Sequence, residues 1–320
     1  MKILVTGGTG LVGKAIQELI STDGKSTDGK STDNIEWVFV GSIDADLSSE
    51  SESRKLFETV KPTKVIHLAA VVGGLYKNME NNVDFYQENS IINQNVLSLS
   101  HEFGVEKVVS CLSTCIFPNK VNYPIDETML HYGPPHESNN GYAYSKRMID
   151  VMNNLYNKQY RCNFTSVIPT NVYGPNDNFD INSGHVIPAL IHKCYLAKRD
   201  NTPFIIAGSG IALRQFIYVK DLARLIVWAM CEYEETTPLI LSPSEEVTIL
   251  HAAMCIADAT KFTGEIVFDT SKSDGQYKKT ASNKKLSSHL PNFDFVKFDE
   301  GIRETVEWFT VNYRDSPQKS

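Results

Sequence analysis

The run Lys2–Thr6 (KILVT) passes without a spacer into Gly7-Gly8-Thr9-Gly10-Leu11-Val12-Gly13. This junction restricts the fold more than any other feature of the sequence. Glycines spaced Gly7-x-x-Gly10-x-x-Gly13 predict a tight turn, backbone N–H groups open to a phosphate, and a helix packed close on a strand. The amphipathic segment that follows, Val12–Ser21, would aim its positive end at that phosphate. A glycine triplet alone is a weak signal, but a strand before it and a helix after it form the context that pyrophosphate binding requires. Every residue from Gly7 to Gly13 is therefore a candidate dinucleotide contact.

Downstream, Trp37–Val40, Lys64–Leu68, Lys107–Leu112 and Asn163–Ile168 are short apolar runs. Between them lie Ser49–Val60, Val83–Phe103 and Tyr142–Tyr160, with helical spacing. Alternation of this kind predicts an α/β fold, a doubly wound parallel (Rossmann) sheet covered on both faces. After Ile168 the chain turns to Pro/Gly/Asn-rich pieces, 169–184 and 207–213, among helices His185–Lys198, Val219–Glu235, Thr248–Thr260 and Glu300–Asn312. Short strands are expected at Phe204–Ile206, Leu239–Leu241 and Glu265–Phe268. Residues 1–168 are expected to hold the dinucleotide, with 215–242 returning to that unit. Residues 169–320 mainly form a smaller C-terminal substrate-binding domain over the sheet's carboxyl edge. The stretch Ser21–Asp33 repeats Ser-Thr-Asp-Gly-Lys without an apolar residue, and is expected to be a disordered surface loop.

The second strand ends Val38-Phe39-Val40-Gly41-Ser42, with no acid at its tip for a ribose diol. Asp44 and Asp46 lie further on and are expected to cap the next element or face adenine. Lys14 could approach a 2′-phosphate. These features favour NADP(H).

Tyr142-Ala143-Tyr144-Ser145-Lys146 places a phenol and an ammonium at i, i+4 on one helical face. A free phenol, with a pKa of about 10, is a poor acid–base group at neutral pH, and a nearby cation lowers that value. Ser113 follows the fourth strand, at the end of the sheet where active sites collect. Together with the glycine loop, Ser113, Tyr142 and Lys146 resemble the short-chain dehydrogenase/reductase family in its extended, sugar-nucleotide-modifying branch. His67-Leu68-Ala69-Ala70 resembles that branch's cofactor-lining segment.

Three further sequences narrow the resemblance. Ser113-Thr114-Cys115-Ile116-Phe117-Pro118, Pro169-Thr170-Asn171-Val172-Tyr173-Gly174-Pro175 and Gly184-His185-Val186-Ile187-Pro188 are similar to those of the bifunctional 3,5-epimerase/4-reductases acting on GDP-4-keto-6-deoxy-D-mannose. The resemblance implies that Cys115 is the base and His185 the acid of two epimerisations, both titrating within reach of neutral pH. It implies a 4-keto reduction by NADPH with Tyr142 as proton donor. It adds Pro169, Thr170, Asn171, Val172, Lys146 and His185 to the cofactor contacts. Lys193, Arg214 and Asp274 are the implied substrate contacts. Ala207 stands where the family usually has a tryptophan, a departure bearing on affinity and nucleotide preference.

Other classes fit less well. A UDP-hexose 4-epimerase has no use for Cys115 with His185, and a 4,6-dehydratase normally has acidic residues where Thr114 and Cys115 stand. A silent NADP(H)-binding regulator would generally lose Tyr142 or Lys146. A net charge of −7 argues against a nucleic-acid partner. No apolar run approaches the ~20 residues of a membrane span. Six scattered cysteines without a Cys-x-x-Cys pair read as reduced thiols in a cytoplasmic protein. His131 and His136 lack zinc spacing, so no metal is expected. By fold analogy, Val83–Phe103 and Tyr142–Tyr160 would form a homodimer interface.

Overall fold

A computed structural model describes residues 1–23, 35–272, 274 and 277–313. The central sheet contains β1 (Lys2–Thr6), β2 (Glu36–Val40), β3 (Lys64–His67), β4 (Lys107–Cys111), β5 (Phe164–Pro169) and, from far along the chain, Leu239–Leu241. The order across the sheet is β2-β1-β3-β4-β5 followed by Leu239–Leu241, and every pairing is parallel. Parallel neighbours need crossovers, and α1 (Leu11–Asp23), α2 (Glu50–Val60), α3 (Leu75–Glu80), α4 (Asn82–Glu102) and α5 (Asn140–Tyr160) supply them.

Alternate strand residues face opposite layers, as the two-residue period requires. Ile3, Val5, Ile66, Val109 and Val167 join one core with Ile16 of α1. Leu4, Val65, Val108 and Ile168 join the other with Phe57 of α2, Val96 of α4 and Ile149 of α5. Burial on both faces explains why these strands read as unbroken apolar runs. The chain leaves β1 toward β2 and returns to β3 on the other side. That reversal opens a crevice at the carboxyl ends of β1 and β3.

The remaining elements are β6 (Asn171–Tyr173), α6 (Val186–Asp200), β7 (Phe204–Ala207), β8 (Leu213–Arg214), β9 (Phe216–Tyr218), α7 (Val219–Cys231), β10 (Leu239–Leu241), β11 (Val247–Thr248), α8 (Ile249–Thr260), β12 (Ile266–Asp269), α9 (Lys284–His289) and α10 (Phe298–Asn312). Helix α7 lies against α1, while β7 pairs with β12 beside α6 and α8. The parallel pair β6 and β9 is absent from the sequence reading. Asn171-Val172-Tyr173 sits in a Pro/Gly/Asn-rich stretch, and its partner Phe216–Tyr218 is too distant in sequence to leave a local signal.

The repeat lies outside the described residues from position 24 onward, and its first residues, Ser21 to Asp23, extend α1. Neither Asp44 nor Asp46 caps the next helix. Asp44 Oδ2 accepts from Gly41 N at 2.7 Å, Asp46 Oδ1 accepts from Ser48 N at 2.9 Å, and Ser49 is the N-cap of α2. No helix among the described residues is long and apolar enough to cross a membrane.

Candidate active site

The glycine loop closes the crevice between β1 and β3. Gly8 N donates to Val40 O at 2.8 Å, and Gln17 Nε2 donates to Gly8 O at 2.7 Å, so Gly8 is tied both to β2 and to α1. Gly7 has φ +70, and a Cβ there would lie 2.7 Å from Ala69 N. Only glycine fits that approach of two backbones. Helix α1 begins at Leu11, with its free N–H groups at the loop. These residues suit a dinucleotide pyrophosphate.

Behind the loop a buried hydrogen-bond chain crosses the sheet edge. Thr6 Oγ1 meets His67 Nδ1 at 2.8 Å, His67 Nε2 meets Asn93 Oδ1 at 3.0 Å, and Asn93 Nδ2 donates to Ser145 O at 3.1 Å. Burial, with Lys146 nearby, lowers the His67 pKa to about 3, so this ring is neutral. Helix α5 is thereby linked through α4 to the strand that feeds the glycine loop. Its start is set by Gly141, whose N–H donates to Asn82 Oδ1 at 3.0 Å and whose missing Cβ would collide with the Asn82 carbonyl.

Tyr142 and Lys146 project from this fixed helix. The Lys146 ammonium, 2% exposed, donates to Cys111 O at 3.0 Å. Burial pushes the Tyr142 phenol well above its ordinary value, with Cys115 and Cys111 adding to the rise. The expectation that Lys146 lowers the phenol is therefore not met. The ammonium rests on a main-chain carbonyl, and desolvation of the phenolate prevails. Ser113 is extended and opens a short 3-10 turn, Thr114–Ile116, in which its Oγ accepts from Cys115 N at 3.4 Å. Cys115 lies near Tyr142 and Lys146. Burial raises its thiol, while Lys279, Ser113 and Lys146 pull it back down.

His185 is the N-cap residue of α6, but its side chain makes no capping hydrogen bond and has no other partner among the described residues. The imidazole is thus free for another task. It is exposed, and the protein packed about it draws its pKa below the ordinary value. The surroundings of both groups favour their uncharged forms, the thiol through burial and the imidazole through the protein packed about it. The loop before His185 reaches the dinucleotide side, where Gly74 abuts the Ser183 carbonyl. Lys193 stands two turns further along α6 and makes no hydrogen bond or ion pair with the rest of the site among the described residues.

A second set of charges approaches Cys115 from the C-terminal part of the chain. Arg214, half-buried on β8, senses Tyr123 and Asp274, and burial lowers its pKa. Asp274 uses both carboxylate oxygens on the turn after β7, accepting from Ser209 N at 2.7 Å and Ser209 Oγ at 2.8 Å. Ala207 ends β7 at the start of that turn. Lys279, half-buried beside Cys115 and Arg214, is a candidate that sequence reasoning missed. Its neighbours Lys278 and Thr280 both bond Glu246, so the residue between them points the other way. Gln215 fixes that strand of chain, donating to Ala281 O at 3.1 Å and accepting from Ala281 N at 2.7 Å. No motif announces Lys279, since a Lys-Lys pair near the C-terminus reads as solvated charge.

Residues 3–240 match the NAD dependent epimerase/dehydratase family. The chain is 56% identical over 313 residues to a GDP-L-fucose synthase from Dictyostelium discoideum, covering 97% of this chain and 96% of that protein. It is 51% identical over 321 residues to a probable GDP-L-fucose synthase from Drosophila melanogaster, covering 98% of each. Among solved structures, a GDP-L-fucose synthetase from Naegleria fowleri bound to NADP superposes with a TM-score of 0.90 at 48% identity, covering 98% of this chain and 94% of that one. With its glycine loop and its Ser113, Tyr142 and Lys146 disposed as above, the chain belongs to the NAD dependent epimerase/dehydratase family and, within it, to the GDP-L-fucose synthases.

Proposed function

We propose that the protein converts GDP-4-keto-6-deoxy-D-mannose to GDP-L-fucose, inverting carbons 3 and 5 and then reducing carbon 4. The observation that carries this reading is the convergence of Cys115, Ser113, Tyr142 and Lys146 on one site, with the Cys115 N–H bonded to Ser113 Oγ. A 4-keto group acidifies the hydrogens on its neighbouring carbons. Cys115 removes each, and His185 returns a proton to the opposite face. Ser113 hydrogen-bonds the 4-keto oxygen. Tyr142 protonates that oxygen during reduction, and its raised pKa keeps it in the donor form.

NADP(H) fits the loop Gly7–Gly13, with Lys146 on its ribose and Pro169, Thr170, Asn171, Val172 and His185 beside it. Bound there, it supplies the hydride for carbon 4. Lys193, Arg214 and Lys279 neutralise the GDP diphosphate, while Asp274 shapes the turn beneath it and Ala207 leaves space beside the substrate. Residues 1–168 with 215–242 form the cofactor unit, and 169–320 mainly the substrate unit.

Val83, Tyr86 and Ile91 of α4 and Met148 and Leu155 of α5 are exposed. Pairing of this apolar face with its copy forms a homodimer. The composition and thiol content suit the cytoplasm. Incubation with GDP-4-keto-6-deoxy-D-mannose and NADPH tests the reading, with loss of absorbance and GDP-L-fucose as product expected. Turnover of UDP-4-keto sugars alone would reject it.

A further inference from the structure

A buried guanidinium lies beside the thiol without a carboxylate partner. Arg147 follows Lys146 on α5 and is 7% exposed. Its hydrogen bonds all go to main-chain carbonyls: Nε to Ile116 O at 2.8 Å, Nη2 to the same oxygen, and Nη1 to Gly133 O at 2.8 Å. The guanidinium also lies 5.4 Å from the centroid of the Tyr144 ring. Ile116 is the residue after Cys115, so the fork grips the turn that carries the thiol. The two ionisable groups near enough to favour its charge are Tyr144 and Cys115. A buried cation compensated only by carbonyl dipoles and one ring face is poorly neutralised, and a thiolate beside it would complete the pair.

We infer that Arg147 is a positioning residue for the epimerising half of the reaction, fixing the Ser113–Ile116 turn to α5 and favouring the thiolate of Cys115. The inference rests on the reading of Cys115 as the base. Lys279 from the C-terminal segment, Lys146 from α5 and Ser113 from its own turn act on the thiol, Tyr142 lies near it, and Arg147 adjoins it through the Ile116 carbonyl. Lys146 and Lys279 are the cations that the proposed reaction places on cofactor and diphosphate. Arg147, held by three bonds to carbonyls, keeps its charge in place throughout. The same helix therefore carries the reducing Tyr142 and Lys146 and the grip on the epimerising thiol.

The test is the rate of Cys115 alkylation by iodoacetamide as a function of pH, read by mass spectrometry of its peptide, in the parent, Arg147→Gln and Arg147→Lys. NADPH binding serves as the check on folding. Arg147→Gln should be alkylated about tenfold more slowly near neutral pH, with its profile displaced to the alkaline side. Arg147→Lys should keep a profile close to the parent's, yet lose severalfold in deuterium exchange at carbons 3 and 5, because an ammonium cannot reproduce the planar fork. A profile for Arg147→Gln that superimposes on the parent's overturns the inference. Should Arg147→Gln fail to bind NADPH, Arg147→Lys decides, and parental exchange in that variant overturns it. Failure of the underlying reading looks different, because Cys115→Ser would then exchange normally whatever Arg147 does.

Discussion

The two halves of the site are built in different ways. The half proposed to reduce, Ser113 with Tyr142 and Lys146, stands on β4 and α5 and is locked by hydrogen bonds through Asn82, Asn93 and His67. The half proposed to hold the sugar nucleotide, with Arg214, Asp274 and Lys279, stands on short strands and turns that meet through long-range bonds such as those of Gln215. The first half can keep proton donor and cofactor in fixed register, and the second can vary with the ligand. On the proposed roles, chemistry resides where the backbone is most constrained, and recognition where it is least so.

The largest effect should come from the fixed half. Tyr142→Phe should slow NADPH oxidation by about 10²–10⁴, the usual contribution of a general acid, while cofactor binding stays near the parent's. Turnover within threefold of the parent would remove Tyr142 from the mechanism. Lys279→Ala tests the other half. Loss of one charge-assisted contact, roughly 1.5–3 kcal/mol, should raise KM for the sugar nucleotide by about tenfold or more. An unchanged KM would show that Lys279 is a neighbour of the site and not part of it.

The lock behind Tyr142 has its own signature. The His67 pKa is lowered to about 3 from 6.5, so its contribution to stability is complete above pH 6.5 and is lost as pH falls toward 3. Urea unfolding should show the parent less stable at pH 5 than at pH 7.5 by about 2 kcal/mol from this group. His67→Asn should flatten that dependence, and an equally steep profile in the variant would contradict the assignment. The smallest effect concerns the cofactor. NADPH should bind more tightly than NADH in a fluorescence titration, because Gly41-Ser42 follow β2 with no acid and Asp44 is turned back onto Gly41 N. Equal affinities would mean that Lys14 and the tip of β2 do not read the 2′-phosphate.

The sequence exposed the same division. The doubly wound sheet was legible because two-sided burial leaves unbroken apolar runs between helical segments, and the glycine loop because its spacing is local. Ser113, Tyr142 and Lys146 sit at the ends of those same elements. Lys279, by contrast, reaches Cys115 only because Glu246 holds its two neighbours and Gln215 holds the residue at 281, contacts that span 32 to 66 residues. Nothing at such separation marks a sequence. The shifts of Cys115, His185 and Tyr142 from their ordinary values were equally hidden, since they come from the surroundings the fold supplies and not from the motif.

The claim that one site both inverts and reduces is tested most directly by running the reaction in deuterated water with the parent and with Cys115→Ser, and analysing products by NMR. The parent should give GDP-L-fucose carrying deuterium at carbons 3 and 5. Cys115→Ser should lose that exchange while Ser113, Tyr142 and Lys146 still reduce the uninverted ketone, giving a GDP-6-deoxy sugar of the D configuration. Full deuterium incorporation and normal GDP-L-fucose from Cys115→Ser would contradict the account.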